Sequence, residues 1–294
     1  MKLEKLVIGL VLGAAPTLVF AQASSVAQNS LHRQYRDGET LVYNMTGQNE
    51  SWHYTVQADG IVKKDASGAY FEEYRWVNLV SDGQPTALSP QSDTFRQRLS
   101  LDPDQMIAPP DLSKADPELV GPALDLMTFH SDLWLAIKTG QLTHAGDHLY
   151  VKVGNPSSWA NGLQVILGQS SIDFDLTLKS VDPSENTAAL IVRHVPPETS
   201  EVTLPAAWMQ TPVADTPNNW VEVDKLPGKF RASVGQEIFT DELTISLVDG
   251  KILSATMDNP VKTIARMCTD EALTQCDAPQ SHEIIRKIQI VLVK

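Results

Sequence analysis

Five histidine and aspartate residues near the middle of the chain are of the types that bind zinc or transfer protons. They are His130, Asp132, His144, Asp147 and His148. The spacing of His144 and His148 would suit two zinc ligands on one helical turn. Gly146 and the alternating residues after it instead predict a turn leading into a strand. We therefore predict no metal site. His130, His144 and His148 remain weak candidates, and a secreted hydrolase with a His/Asp site is an alternative function.

Nucleophilic motifs give no stronger indication of catalysis. The sequence contains no Gly-x-Ser-x-Gly elbow and no glycine-rich phosphate loop. Asp125 and Asp132 lie seven residues apart on a predicted helix, about 10 Å along its axis, and could form a carboxylate pair. We interpret them as part of a solvent-exposed helix face. No catalytic residue and no cofactor are predicted, and a non-enzymatic protein is favoured.

An aromatic group in the first third of the chain is the main candidate for ligand binding. Its members are Tyr43, Trp52, Tyr54, Tyr70, Tyr74 and Trp76. On adjacent strands these rings could line an apolar cavity for a lipid or another hydrophobic ligand. The commoner role of such residues is to fill the core of a large curved sheet. The core role is the favoured interpretation.

The elements that must position these residues are mostly strands, because apolar and polar residues alternate through much of the chain. Leu243, Ile245 and Leu247 share one face before Asp249-Gly250, a pair typical of a two-residue type I′ turn. Another hairpin is predicted around the turn at residues 182–186. Turns that interrupt the strands are also predicted at residues 58–60 and 66–68, and a final strand is predicted at residues 283–293.

One helix is predicted at residues 119–139, with Pro122 in its first turn and Gly140 just beyond its end. Its apolar side consists of Leu119, Ala123, Leu126, His130, Leu133 and Ile137, whereas Asp125, Thr128 and Asp132 mark the polar side. The predicted fold is therefore α+β and mainly β: a large antiparallel curved sheet or half-barrel packed around one central helix. Proline-rich loops are expected at 84–117 and 196–227, where a binding surface could lie.

The N-terminus has the form of a signal peptide. Lys2 and Lys5 precede an apolar run that ends near Ala21 and Ala23. The run is shorter than the roughly 20 residues of a membrane-spanning helix. We expect cleavage of residues 1–21, no transmembrane anchor, and a single β-rich domain over residues 22–294 located in the periplasm or outside the cell.

Charge and cysteine content agree with this location. The net charge of −13 at pH 7 opposes binding to nucleic acid, which needs a cationic surface. Cys268 and Cys276 are the only cysteines, and an oxidising compartment favours a disulfide between them.

The segment Tyr35-Arg36-Asp37-Gly38-Glu39-Thr40-Leu41-Val42-Tyr43 resembles the start of uncharacterised bacterial periplasmic half-barrel proteins. That family is similar in plan to the periplasmic carriers that shuttle lipoproteins on a curved sheet. The resemblance implies a role in binding a hydrophobic ligand or an envelope partner in the sheet concavity, and it supplies no catalytic residue. A structural or adhesion module without a small-molecule ligand is the remaining alternative.

Overall fold

The computed structural model describes residues 31–293, with gaps at 50–51, 106, 108–109, 153–157, 161–164, 168–171 and 198–203. For residues 158–160 and 165–167 only the backbone is described. The predicted signal peptide therefore lies outside the described residues. Within them, no helix is both long enough and apolar enough to cross a membrane.

Fifteen strands and one α-helix form the described part of the chain. The strands before the helix are β1 (Thr40–Gln48), β2 (His53–Lys64), β3 (Tyr70–Ser81), β4 (Gln84–Pro85) and β5 (Gln97–Leu99). The helix α1 spans Pro117–Thr139. After it come β6 (His148–Val151), β7 (Ser158–Ala160), β8 (Val165–Leu167), β9 (Asp173–Asp182), β10 (Thr187–Val195), β11 (Trp220–Leu226), β12 (Lys229–Glu237), β13 (Phe239–Ser246), β14 (Ile252–Cys268) and β15 (Gln280–Leu292).

All strands except β7 and β8, which pair with each other, belong to one antiparallel sheet that is curved and does not close. Its order is β4-β3-β2-β1-β15-β14-β13-β10-β9-β6, with β5 also beside β3. The long strand β14 pairs with β13 through residues 252–258 and with β12 through residues 261–268. The sheet therefore extends sideways at β14, through β12 to β11. The predicted fold class, a mainly β curved sheet with one helix, is confirmed.

The helix α1 covers the middle of one face of the sheet, which we call the inner face. Its six predicted apolar positions are all buried, and its leucines join strand residues in one continuous core. Gly140 ends the helix at a φ of 61°, as its position predicted. The helix begins two residues earlier than predicted, so Pro122 lies inside it.

The polar side predicted for the helix is wrong for two of its three residues. Asp125 and Asp132 are 4% and 0% exposed, not solvated. The reason is tertiary: a curved sheet surrounds α1 on more than its apolar side, so residues outside the apolar row also face strands.

The hairpins were predicted better than their turns. β9 and β10 pair around residues 183–186, and β13 and β14 pair as expected. The second of these turns is not type I′, because Gly250 has a φ of 70° whereas Asp249 is not among the residues with positive φ. The connection spans residues 247–251 and is closed by the Gly250 amide donating to the Ser246 carbonyl.

Two other local predictions are corrected by the structure. β2 continues through residues 58–60 without a turn, and Gly60 leaves room for the Tyr74 ring, which would lie 2.5 Å from a Cβ at that position. The second proline-rich loop is shorter than predicted, because residues 220–226 form β11. The turn predicted at residues 66–68 is present, with Gly68 at a φ of 90°.

A small second core lies on the other side of the β11–β12 extension. Residues of the proline-rich segment, including Met209, pack there against Val221, Val234 and Leu273. Cys268 and Cys276 form the predicted disulfide beside this core.

Candidate functional site

The aromatic residues predicted as ligand contacts contribute to the main core. Tyr43, Tyr54, Tyr74 and Trp76 are at most 3% exposed, and Trp52 and Tyr70 are partly buried against the same core. The hydroxyls of the three buried tyrosines are bonded: to the Ile252 carbonyl, to Asp125 and to Glu72, respectively. The sheet concavity beside these rings is filled by α1. The geometry therefore favours the core role over a cavity role.

His130 belongs to a buried ionic group that we call the Glu72 network. It comprises Arg33, Glu39, Glu72, Tyr74 and His130. Glu72 accepts from Arg33 Nε at 2.9 Å, from the Tyr74 hydroxyl at 2.7 Å and from His130 Nε2 at 3.2 Å. Arg33 also donates to Glu39 at 2.6 Å.

Hydrogen bonds and ion pairs connect the buried groups of the Glu72 network and lower the pKa of its carboxyl group. His130 Nδ1 lies 2.9 Å from the Leu126 carbonyl, so both ring nitrogens face oxygens that can only accept. Each ring nitrogen therefore has a hydrogen-bonding partner within the network or on α1. Burial alone would raise the pKa of Glu72, but the hydrogen bond and charge of His130, together with Arg33, lower that pKa to about 2. The network is charge-paired and structural.

His144 and His148, the other weak metal candidates, lie on the surface with separate partners. His144 is 3.6 Å from Asp147, and His148 is 2.5 Å from Asp175. Both imidazoles are 56% exposed. The structure does not assemble His130, His144 and His148 into one site, because each is paired with its own carboxylate.

A different trio does come together, and we call it the Asp132 cluster. Asp132 on α1, His194 on β10 and Asp241 on β13 place one possible ligand atom each within 4.8 Å of one another. All three residues are at most 5% exposed. His194 Nε2 is 2.7 Å from Asp132 Oδ1. Within the described ranges this is the one group of three His, Cys, Asp or Glu residues arranged to hold a metal ion.

Neighbouring strands hold the imidazole of the Asp132 cluster in place. His194 lies opposite Phe174 on β9 and opposite Phe239 on β13. The ring stacks on Phe239 with centroids 3.9 Å apart, and Phe174 meets it edge-on at 4.7 Å. Asp241 follows Phe239 by two residues, so strand alternation places its carboxyl on the same face.

Burial shifts all three groups of the Asp132 cluster towards their neutral forms. It raises the pKa of Asp132 to about 7 and lowers the pKa of His194 to about 4. Burial and the neighbouring Asp132 charge raise the pKa of Asp241 well above its usual range. Unlike Glu72, neither aspartate forms an ion pair with a Lys or Arg of the described chain.

Sequence reasoning missed His194 and Asp241, although strand alternation contained a signal. Asp241 precedes Leu243 and Ile245 by two and four residues, and His194 follows Leu190 and Val192 in the same way. Each polar residue therefore occupies a core-facing position of a strand. Their convergence with Asp132 depends on the β10–β13 pairing and on the placement of α1.

Beside the N-terminal half of α1, where Arg286 contacts Asp125, the inner face of the sheet is open and forms a groove of about 510 Å³. Residues from β11, β12, β14 and β15 line this groove. Ser233, Thr263 and Ala265 contribute small side chains, and Trp220 and Ile284 add apolar surface. Much of the remaining lining is polar or charged, including Arg231, Glu237, Gln280, His282 and Arg286. A volume of this size falls within the range of small-molecule sites.

The boundary between helix and groove is an ion pair. Arg286, which lines the groove, donates to Asp125 Oδ1 at 2.7 Å, and the Tyr54 hydroxyl donates to Oδ2 of the same carboxylate at 3.2 Å. On the same face, Asn259 donates to Glu237 Oε1 at 2.7 Å, and Glu237 also lines the groove. Phe239, two residues after Glu237, stacks on His194, so the Asp132 cluster lies near this end of the groove.

Comparisons with protein-family models, with characterised proteins and with solved structures find no match for this chain.

Proposed function

We propose that the protein acts after export as a non-enzymatic binding protein, and that an apolar part of its ligand lies in the inner-face groove. The observation that carries this proposal is the division of the inner face: α1 fills one part, and the β11–β12 extension leaves the other part open. A lipid or another molecule that joins an apolar chain to a polar group is the ligand class we propose, because the groove combines apolar and small side chains with charged ones.

A second groove, on the opposite face, is the weaker candidate despite its larger volume of about 840 Å³. Both grooves contain many polar side chains, but this one lies on the outer face of the sheet, with Thr46, Gln48, Thr256 and Gln289 among its residues. A polar lining on the outside of an antiparallel sheet is typical of a solvated face.

Two further observations support export and binding over catalysis. The Cys268–Cys276 disulfide agrees with an oxidising compartment. His144 and His148, on which the alternative hydrolase depends, are exposed and separately paired.

The proposal is tested by blocking the groove. Ala265→Phe places a ring in the lining of the groove, whereas Lys262→Phe, three residues earlier on β14, places the same ring on an exposed outer position and serves as the control. We expect titration with the fluorescent apolar probe N-phenyl-1-naphthylamine to give saturable binding that falls at least about tenfold in Ala265→Phe only, because the ring occupies the ligand volume.

Native mass spectrometry of protein purified from its own compartment should identify a co-purifying hydrophobic molecule. Equal probe binding by both variants, or no saturable binding by the wild type, would refute the groove as the ligand site.

A further inference from the structure

The Asp132 cluster has the composition of a metal site, and its internal hydrogen bonds leave several of its polar atoms without partners. We propose that Asp132, His194 and Asp241 bind one zinc ion. This inference does not depend on the proposed ligand of the groove.

The donor set fits zinc in type and number. Imidazole nitrogen and carboxylate oxygen bind zinc at about 2.0 to 2.2 Å, and three protein ligands with one remaining position form a common zinc arrangement. The three candidate atoms already lie within 4.8 Å of one another, and Asp132 and His194 are 2.7 Å apart. The three ligands come from three different elements, α1, β10 and β13.

Unsatisfied polar atoms point into the same site. Asp132 Oδ2, His194 Nδ1 and both carboxylate oxygens of Asp241 are buried and lack a hydrogen-bond partner among the described residues. A proton shared between the two carboxyls would satisfy only some of these atoms. Buried polar groups without partners are rare in folded proteins, and a metal ion bound between the three side chains would provide the carboxylate oxygens with a partner.

Charge balance favours a divalent cation. The two aspartates would carry two negative charges when ionised, and no Lys or Arg in the described ranges forms an ion pair with them. Two other buried carboxylates differ, since Glu72 is paired with Arg33, and Asp125 with Arg286. Zn²⁺ would neutralise both aspartates at once, which removes the main cost of burying them.

A hydrogen-bonded polar pair at the groove lies close to the Asp132 cluster. Glu237 lies at the groove and accepts a hydrogen bond from Asn259, whose Oδ1 is buried and has no hydrogen-bond partner among the described residues. Glu237 precedes by two residues Phe239, which stacks on His194.

The test uses the full mature chain without a histidine tag, freed of metal with EDTA and titrated with zinc sulfate by calorimetry. We expect one zinc ion per chain and a melting temperature that rises with zinc concentration, because an ion that binds only the folded state stabilises it. Asp241→Asn should weaken zinc binding by at least about a hundredfold, since loss of a direct ligand exceeds the tenfold to hundredfold effects of outer residues.

His148→Ala is the matched control, because it removes an imidazole–carboxylate contact that lies on the surface. Its zinc affinity should stay within about twofold of wild type. Zinc binding that is lost in His148→Ala and kept in Asp241→Asn would overturn the proposal in favour of a surface site, and absence of zinc binding by the folded wild type would also overturn it.

A measurement on the wild type tests the site even if the Asp241→Asn variant fails to fold. In ¹⁵N NMR spectra of the histidine rings, zinc should shift the signals of the His194 ring nitrogens. These signals are identified because they are absent from the spectrum of His194→Phe. Phenylalanine suits this position because His194 already packs between Phe174 and Phe239. Zinc-induced shifts confined to other histidines would refute the site.

Discussion

The Glu72 network and the Asp132 cluster share the helix α1 and lie two residues apart on it, yet they handle burial in opposite ways. The Glu72 network contains the cation Arg33, and every oxygen of Glu72 accepts a hydrogen bond. The Asp132 cluster contains two carboxyls and one imidazole without an added cation, and several of its atoms lack partners. The carboxylate of the Glu72 network has a cation and a hydrogen-bond donor for each oxygen, as expected of a structural group. The Asp132 cluster has buried polar atoms without partners, as expected of a site that binds an ion.

The pKa values express the same difference. Partners lower the pKa of Glu72 to about 2, whereas burial raises the pKa of Asp132 to about 7. A carboxylate with buried partners stabilises the fold when ionised, but one without them stabilises it only when protonated.

The largest effect is expected on removing the anion from the Glu72 network. Glu72→Gln removes the carboxylate that pairs with His130 and one of the two that pair with Arg33, and it should lower the free energy of unfolding by about 3 to 5 kcal/mol at pH 7, measured in urea. Because the folded-state pKa of Glu72 lies below its ordinary 4.5, the stabilisation is present above pH 4.5 and is lost as the pH falls towards 2. The gap between variant and wild type should shrink across that window.

Glu73→Gln is the matched control for this prediction. Glu73 is the next residue on β3, and its partners Lys63 and Arg98 are largely exposed. The control should lose less than about 1 kcal/mol. Equal losses for the two variants would show that the Glu72 network contributes no more than a surface ion pair.

A smaller effect is expected from the histidine of the Glu72 network. His130→Ala should destabilise the fold by about 1 to 3 kcal/mol, because it removes two hydrogen bonds and leaves a hole beneath Tyr43 and Tyr74. The melting temperature of this variant should respond to zinc as that of the wild type does. A zinc response that disappears in His130→Ala would move the metal site from the Asp132 cluster to His130.

The smallest effect has the opposite sign and concerns the Asp132 cluster without metal. In EDTA at pH 8, Asp132→Asn should raise the free energy of unfolding by about 1 to 2 kcal/mol, because it removes a buried acid that lacks a cation. The folded-state pKa of Asp132, about 7, lies above its ordinary 3.8, so wild-type stability falls as the pH rises through this window. The advantage of the variant should therefore vanish near pH 4.

Asp175→Asn provides the comparison for that measurement, because Asp175 contacts the exposed His148. Its effect on the free energy of unfolding should stay within about 1 kcal/mol. Loss of stability in Asp132→Asn at pH 8 would show that the ionised Asp132 stabilises the fold even without metal.

The secondary structure was predictable because alternation and turn residues are local signals. The β9–β10 hairpin, the end of α1 at Gly140 and the Cys268–Cys276 pair were all visible along the chain. The errors were also local. Gly60 has the character of a turn residue in the sequence, whereas its function is to accommodate Tyr74 from the neighbouring strand.

The candidate site was less predictable, since its members are distant in sequence. Asp132, His194 and Asp241 come from three elements, and of these the sequence indicates only Asp132, as a solvated residue. When a helix is predicted from the period of its apolar residues, the opposite side is assigned to solvent. The curved sheet removes much of that face, and local periodicity contains no information about this curvature.

By itself, the sequence determined that this chain forms alternating strands around one helix and closes a disulfide, because side-chain periodicity, turn chemistry and cysteine count act over short distances. Only the tertiary structure decided which polar residues would be buried together and which part of the inner face would stay open. Both outcomes depend on strand order, above all on the sharing of β14 between β13 and β12. Strand order is set by packing between segments far apart in the chain, where the free energy of burial outweighs local preference.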